Sequence, residues 1–306
     1  SQDPCLLPQA CKNSVEITGA RNAHIRDGTA LVDFLAWLSR VVPAKNITEL
    51  DASKKLLSYR QLQQYFEEPS FPTISSAGPN GAIIHYCPTP ETNRTLQPDE
   101  LYLVDSGGQY LDGTTDVTRV MAFAAPTDEQ RDRFTRVLKG HIALAQARFP
   151  QGTTGQQLDI LARYWLWQAG LDFEHSTGHG VGSYLSVHEG PQNISKARAG
   201  TTHVPLQVGM LLSNEPGYYK SGEYGMRIES IVVVKELENE SYEYPILGFE
   251  TITLAPICRA LIEPKLLSTS DINWLNRYHK KVREILMPLV EETARSWLQK
   301  ETEEIT

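Results

Sequence analysis

The sequence predicts an α+β fold, because helical periods and strand-like runs come in blocks rather than alternating one for one. The order is two helices, strands, two helices, strands and one helix, which disfavours a doubly wound parallel sheet. The two halves echo each other in element order, without a sequence repeat of fixed period. No Pro/Gly/Ser-rich linker divides the chain, so residues 1–306 read as one domain.

Residues 13–40 read as the first helix, with Asn13 or Ser14 as cap and an apolar set of Ile25, Leu31, Val32, Leu35 and Leu38. A second helix starts at Thr48, where T-E-L-D supplies a capping residue, and runs to Phe66. The period then changes. FPTISS, AIIHY, ELYLVDSGGQY and TTDVTRVMAF are short β-rich runs set between Gly, Pro and Asn turns. Helical periods return over residues 127–149 and 154–169, and strands resume near 209–215, 227–234 and 249–254. A last helix from about Ser270 carries Trp274, Leu275, Tyr278, Val282, Ile285 and Leu289, with a kink predicted at Pro288.

Composition bounds what such a chain can do. With 41% hydrophobic residues, 13 Tyr, 8 Phe and 5 Trp it can build a core, which excludes general disorder. No apolar run reaches the length of about 18 residues that a spanning helix needs, so no membrane partner is expected. An excess of 37 acidic over 29 basic residues argues against nucleic acid. Cys5, Cys11, Cys87 and Cys258 show no C-x-x-C spacing, which fits a reduced, cytoplasmic protein without a structural zinc site. The sequons at Asn46, Asn93, Asn193 and Asn239 are short enough to arise by chance. No signal peptide is visible, and the opening SQDPCLLP reads as the cut edge of a longer chain.

Carboxylates stand where burial makes them costly. Asp105 lies in LYLVDSGGQY, Asp116 in GTTDVTRV, Glu215 ends MLLSNEPGYY's apolar run and Glu229 sits inside MRIESIVVV. His179 lies among glycines in HSTGHGVG, which let backbone approach a ligand. Singly, Asp105 could cap a turn, Glu215 could precede a solvated loop and His179 could be a hydrogen-bonded core histidine. Together they need a common cation, and Arg119 and Arg227 are too few to neutralise them. Four carboxylates and one imidazole, without thiolate, suit hard or borderline divalent metals. Two such ions about 3.5–4 Å apart would share bridging carboxylates and hold a hydroxide, which is the chemistry of hydrolysis. His85 and His188 carry no ligand spacing of their own, and the four-residue step from His175 to His179 says little because the glycines at 178, 180 and 182 disfavour a helix there. All three read either as ordinary histidines or as groups for proton transfer and oxyanion stabilisation.

The strings FPTISSAGPNGAIIHY, PETNRTL, DSGGQYLDGTTDVTR, STGHGVG, VHEGP, NEPGYY and RIES are longer than chance allows. On these the chain resembles the catalytic domain of X-prolyl aminopeptidases (aminopeptidase P), in their cytosolic eukaryotic-type branch, over nearly its whole length. The resemblance implies a pita-bread metallopeptidase fold, with two pseudo-related halves of helices packed on a curved, mainly antiparallel sheet. It implies metal ligation by Asp105, Asp116, His179, Glu215 and Glu229, with Asp116 and Glu229 bridging two divalent ions. Manganese is the usual family metal; cobalt, zinc and iron stay open. It further implies that His85, His175, His188, Tyr219 and Arg227 contact substrate. Glu215, His85 and His188 would take part in proton transfer and oxyanion stabilisation. The substrates implied are peptides with proline in second position. Larger family members carry two further N-terminal domains, and cytosolic members commonly pair, which makes the apolar face of the last helix a candidate homodimer surface. Two alternatives stand beside this reading: a prolidase that cuts Xaa-Pro dipeptides, and a non-catalytic peptide-binding module of the same fold.

Overall fold

The computed structural model describes residues 3–196 and 204–306. A short helix, α1 (Leu6–Ala10), precedes the long α2 (Ser14–Val41) and α3 (Glu49–Arg60). The caps form as the sequence requires. Asn13 accepts from the Val15 and Glu16 N–H groups while the Glu16 carboxylate accepts from Asn13 N–H, and Thr48 with Asp51 repeats the arrangement. α3 stops at Arg60, short of Phe66, because Tyr65 at φ 65° is a left-handed residue that a helix cannot contain. Phe66 opens a strand instead.

The strands of the first half are β1 (Phe66–Pro69), β2 (Ile74–Ala77), β3 (Leu101–Ser106), β4 (Gly108–Tyr110), β5 (Gly113–Thr114) and β6 (Val117–Ala122). β3 lies between β2 and β6, and its register sets Asp105 opposite Ile74 on one side and Thr118 on the other. AIIHY is not a strand. Gly78 at φ 52° and Pro79 wind the chain into a 3₁₀ turn, Gly78–Ala82, and the turns that follow leave Ile83 55% exposed.

The second half runs α4 (Asp128–Ala145), β7 (Arg148–Pro150), α5 (Gly155–Trp167), β8 (Gly178–His179) and β9 (Asn193–Ile194). It continues with β10 (Leu211–Asn214), β11 (Gly217–Lys220), β12 (Tyr224–Arg227), β13 (Ser230–Leu237) and β14 (Ile246–Thr251). The larger sheet has the order β10-β13-β14-β7. Every strand pair among the described residues is antiparallel. α4 ends before Phe149, which pairs with Leu247 and packs against Phe249 at 5.2 Å between ring centroids. The strand expected over 227–234 divides around Ile228 and Glu229, so Glu229 stands at a break between β12 and β13.

Pro288 separates two helices, α6 (Thr269–Leu286) and α7 (Glu292–Glu301), rather than kinking one. The apolar face of α6 does not look outward. Leu275, Tyr278, Val282 and Leu286 are buried in the core with Phe134, Val137 and Leu138 of α4, and Trp274 stacks on Tyr278 at 5.2 Å. The face read as a dimer surface is therefore packed within the chain itself. Among the described residues no helix is long and apolar enough to cross a membrane.

Candidate metal centre

Five elements deliver acids and histidines to one cleft. Asp105 comes from buried β3, Asp116 from the extended residue before β6, Glu215 from the end of β10, and Glu229 from the β12–β13 break. His179 comes from β8, whose backbone lies tight on β10. A Cβ on Gly178 would stand 2.0 Å from the Ser213 carbonyl oxygen, so only glycine permits the approach. The cleft, of about 350 Å³, is also lined by His85, His175, His188 and Arg227, with Phe71 and Ile74 as apolar wall. Tyr219 joins them through hydrogen bonds to His175 and Arg227. Every site residue read from the sequence is thus brought together. A larger cavity, about 720 Å³, lies between β6 and α7 but holds a single carboxylate, Glu301.

Hydrogen bonding fixes the donors and acceptors. His179 Nδ1 lies 2.9 Å from the Gly180 carbonyl and must carry the proton there. Nε2 faces the two carboxylates, 3.4 Å from Asp116 Oδ2 and 3.4 Å from Glu215 Oε1, and in the neutral ring it is the lone pair a metal takes. The donor atoms of Asp116, His179 and Glu229 also lie within 4.8 Å of one another. Asp105 Oδ1 and Asp116 Oδ1 are buried without a hydrogen-bond partner among the described residues. Carboxylates crowded and buried in this way repel one another when ionised unless a cation enters among them. Among the described residues, the cation lining the cleft, Arg227, is committed to Asp105 Oδ2 at 2.5 Å. Arg119 is spent on backbone instead: it donates to the carbonyls of Thr118, Glu229, Ala255 and Pro256 and to the Tyr278 hydroxyl.

The ionisation shifts follow from this crowding. Burial, then the charges of Asp105 and Glu215, pushes Asp116 well above the usual carboxylate range. Glu229 is pushed well above it by burial and by Asp116, and Glu215 is raised by burial. Opposite shifts hold His175 and His188 neutral. His175 falls to about 3 through burial and the Arg227 guanidinium, and His188 falls through burial and the neighbouring His179. A directed chain runs through the wall: Arg227 Nη1 donates to the Tyr219 hydroxyl (2.6 Å), which donates to His175 Nε2 (2.8 Å), whose Nδ1–H donates to the Ser176 carbonyl (2.8 Å). Burial raises Tyr219 to about 12, so it keeps the proton this chain needs.

An oxygen-rich set with one imidazole, two orphaned carboxylate oxygens and a backbone-anchored histidine fits divalent metal. Two hydroxyls that sequence reading missed hold the set in place. Thr118 Oγ1 accepts from Arg227 Nε (3.1 Å) and donates to Glu229 Oε2 (2.6 Å). Ser213 Oγ accepts from His179 N–H (2.9 Å) and donates to Glu215 Oε1 (2.9 Å). The signal was the period of two, Asp116-x-Thr118 and Ser213-x-Glu215, which places each pair on one strand face. Thr118→Val keeps the shape and removes both bonds. It should weaken metal binding by roughly 10- to 100-fold, and a competition titration with a chelating dye reads that directly; unchanged affinity would remove Thr118 from the site.

Comparison with known proteins agrees with this geometry. Residues 18–236 match the model of metallopeptidase family M24, and residues 245–305 match the C-terminal region of peptidase M24. Aminopeptidase P1 of Arabidopsis thaliana is 46% identical, over 99% of this chain and 50% of its own length. A probable Xaa-Pro aminopeptidase P of Aspergillus fumigatus is 49% identical, over 100% and 48%. The crystal structure of an X-prolyl aminopeptidase from Caenorhabditis elegans, described as a cytosolic enzyme with a di-nuclear active site, superposes with a TM-score of 0.94 at 40% identity. That match covers 99% of this chain and 50% of the worm protein, so the chain spans about half the length of the relatives it matches. The chain belongs to metallopeptidase family M24.

Proposed function

We propose that this chain is the catalytic part of a metal-dependent X-prolyl aminopeptidase. It would remove the first residue from peptides whose second residue is proline. The observation that carries the reading is the convergence of Asp116, His179 Nε2 and Glu215 beside the orphaned oxygen of Asp105. Asp105, Asp116, His179, Glu215 and Glu229 would hold two divalent ions, with manganese the proposed metal. When bound, such ions act as Lewis acids that bring the ionisation of water near neutral pH.

The chain's own groups do the rest. Glu215 faces the cleft with its Oε1 fixed by Ser213, a carboxylate placed to take a proton and pass it toward the leaving nitrogen. His188 meets His179 edge to face at 4.1 Å and, neutral, offers an N–H to the oxyanion that develops at the scissile carbonyl. His85 lines the same cleft and can assist proton delivery. The Arg227–Tyr219–His175 chain makes a stiff wall for the proline ring, whose fixed φ suits a preformed pocket. Cytoplasmic location and membership of a longer protein belong to the same proposal, supported by the worm enzyme's description and by the coverage of the relatives.

The test is hydrolysis by manganese-supplied chain of an Xaa-Pro-Xaa tripeptide, an Xaa-Pro dipeptide and an Xaa-Ala-Xaa control. Release of the first residue from the tripeptide in preference to both others is expected. Cleavage of the dipeptide alone would assign the chain to the prolidases, and no cleavage by metal-loaded chain would leave a peptide-binding module.

A further inference from the structure

Lys12 does not line the cleft, yet it is one of the most buried cations in the chain, with its side chain 1% exposed. Its backbone is pinned just before β10: Lys12 N–H donates to the Gly209 carbonyl at 3.1 Å, and Cys11 bridges Met210. From there the ammonium reaches the Gln9 carbonyl at 2.6 Å and forms an ion pair with Glu189 Oε1. Gln9 Nε2 donates to the other oxygen, Glu189 Oε2, at 2.9 Å. Both carboxylate oxygens of Glu189 are therefore held by residues 9–12, while its backbone N–H donates to the Gly180 carbonyl at 2.8 Å.

Glu189 follows His188 directly. The loop before it is conformationally demanding, since Leu185 and Ser186 sit at φ 61° and 50°, where side chains are strained. A loop of that kind keeps one conformation only when its surroundings impose it. We propose that the Lys12–Glu189 clasp is a positioning device, fixing the end of the 182–189 loop so that His188 stays over His179 and the reacting carbonyl. This rests on the role given to His188 above. Lys12 and Glu189 are positioning residues; neither touches substrate.

The experiment compares manganese-supplied wild type with Lys12→Met, Glu189→Gln, and the double variant Lys12→Met/Glu189→Gln. Each is also made in a His188→Ala background. Readouts are kcat and KM on the tripeptide, metal content, melting temperature, and hydrogen exchange of the peptide covering residues 182–190. Each single variant is expected to lower kcat roughly 10- to 100-fold, the scale of a small misplacement of a reacting group. KM and metal content should stay near wild type, and exchange in 182–190 should quicken. The double variant leaves no unpaired buried charge, so its melting temperature should recover while kcat stays low. In the His188→Ala background the clasp variants should change kcat little further.

Equal losses of kcat with and without His188, or recovery of kcat together with stability in the double variant, would overturn the proposal in favour of a purely structural pair. A wild-type chain that cleaves no peptide would instead defeat the functional reading. The exchange arm still decides the clasp in that event, because unchanged protection of 182–190 would refute it.

Discussion

Asp116→Asn should abolish metal retention and turnover together while making the metal-free chain more heat-stable. The substitution removes a carboxylate that burial and two neighbouring acids make costly, at a residue only 4% exposed. Without metal, a carboxyl held above its ordinary ionisation range costs stability at neutral pH, so an amide in its place should raise the melting temperature of chelated protein. With metal supplied, the sign reverses. Wild type should gain stability from the ions by mass action, and the variant should gain little. Turnover should fall by at least about 10³-fold, the upper end of the loss from deleting one stabilising group in an active site. Paired melting curves with manganese and with chelator read both effects. A variant less stable than wild type in chelator would mean that Asp116 serves the fold rather than a cation.

His188→Ala and His85→Ala should separate metal from catalysis. Both residues line the cleft and stand outside the five-residue donor set. His188 presents its ring to His179, and burial and that neighbour keep it neutral, the state in which it can donate without bringing a charge to the ions. Its loss should leave metal content intact and lower kcat by an amount worth roughly 2.7–4 kcal/mol, as for other oxyanion donors. His85→Ala should likewise spare the metals and act on turnover. Metal content and kcat measured on the same preparations decide the matter. If His188→Ala emptied the site as completely as Asp116→Asn, His188 would be a ligand.

The acids were legible because an ionised carboxylate inside an apolar, strand-forming run has few physical excuses, and Asp105 and Glu229 stand in the most apolar of these runs. The helix starts were legible for a local reason: Asn13-x-x-Glu16 and Thr48-x-x-Asp51 satisfy their own orphaned N–H groups whatever surrounds them. Features that depend on distant partners were not. AIIHY has the composition of a strand, but Gly78 and Pro79 turn the chain before it can pair. Pro288 permits either a kink or a stop, and the stop is set by α7 docking on α2, with Glu291 N–H on Asp33 and Arg40 on the Thr293 carbonyl. The β11–β12 hairpin, which carries Tyr219 and Arg227 to the site, is polar and short, and its sequence alone shows no alternation. The period of two sets Thr118 beside Asp116 and Ser213 beside Glu215, but their bonds to Glu229, Arg227 and His179 come only from the fold. Lys12 looks like a solvated residue near a chain end, and only the fold brings Glu189 to it across 177 positions.

The measurement that bears most directly on this account is elemental analysis of purified chain supplied with manganese, set beside its melting temperature before and after chelation. Five donors and two orphaned buried oxygens predict about two divalent ions per folded chain, with a melting temperature that falls when they are removed. A well-folded chain that takes up no divalent ion under those conditions, and melts at the same temperature with chelator, would contradict it.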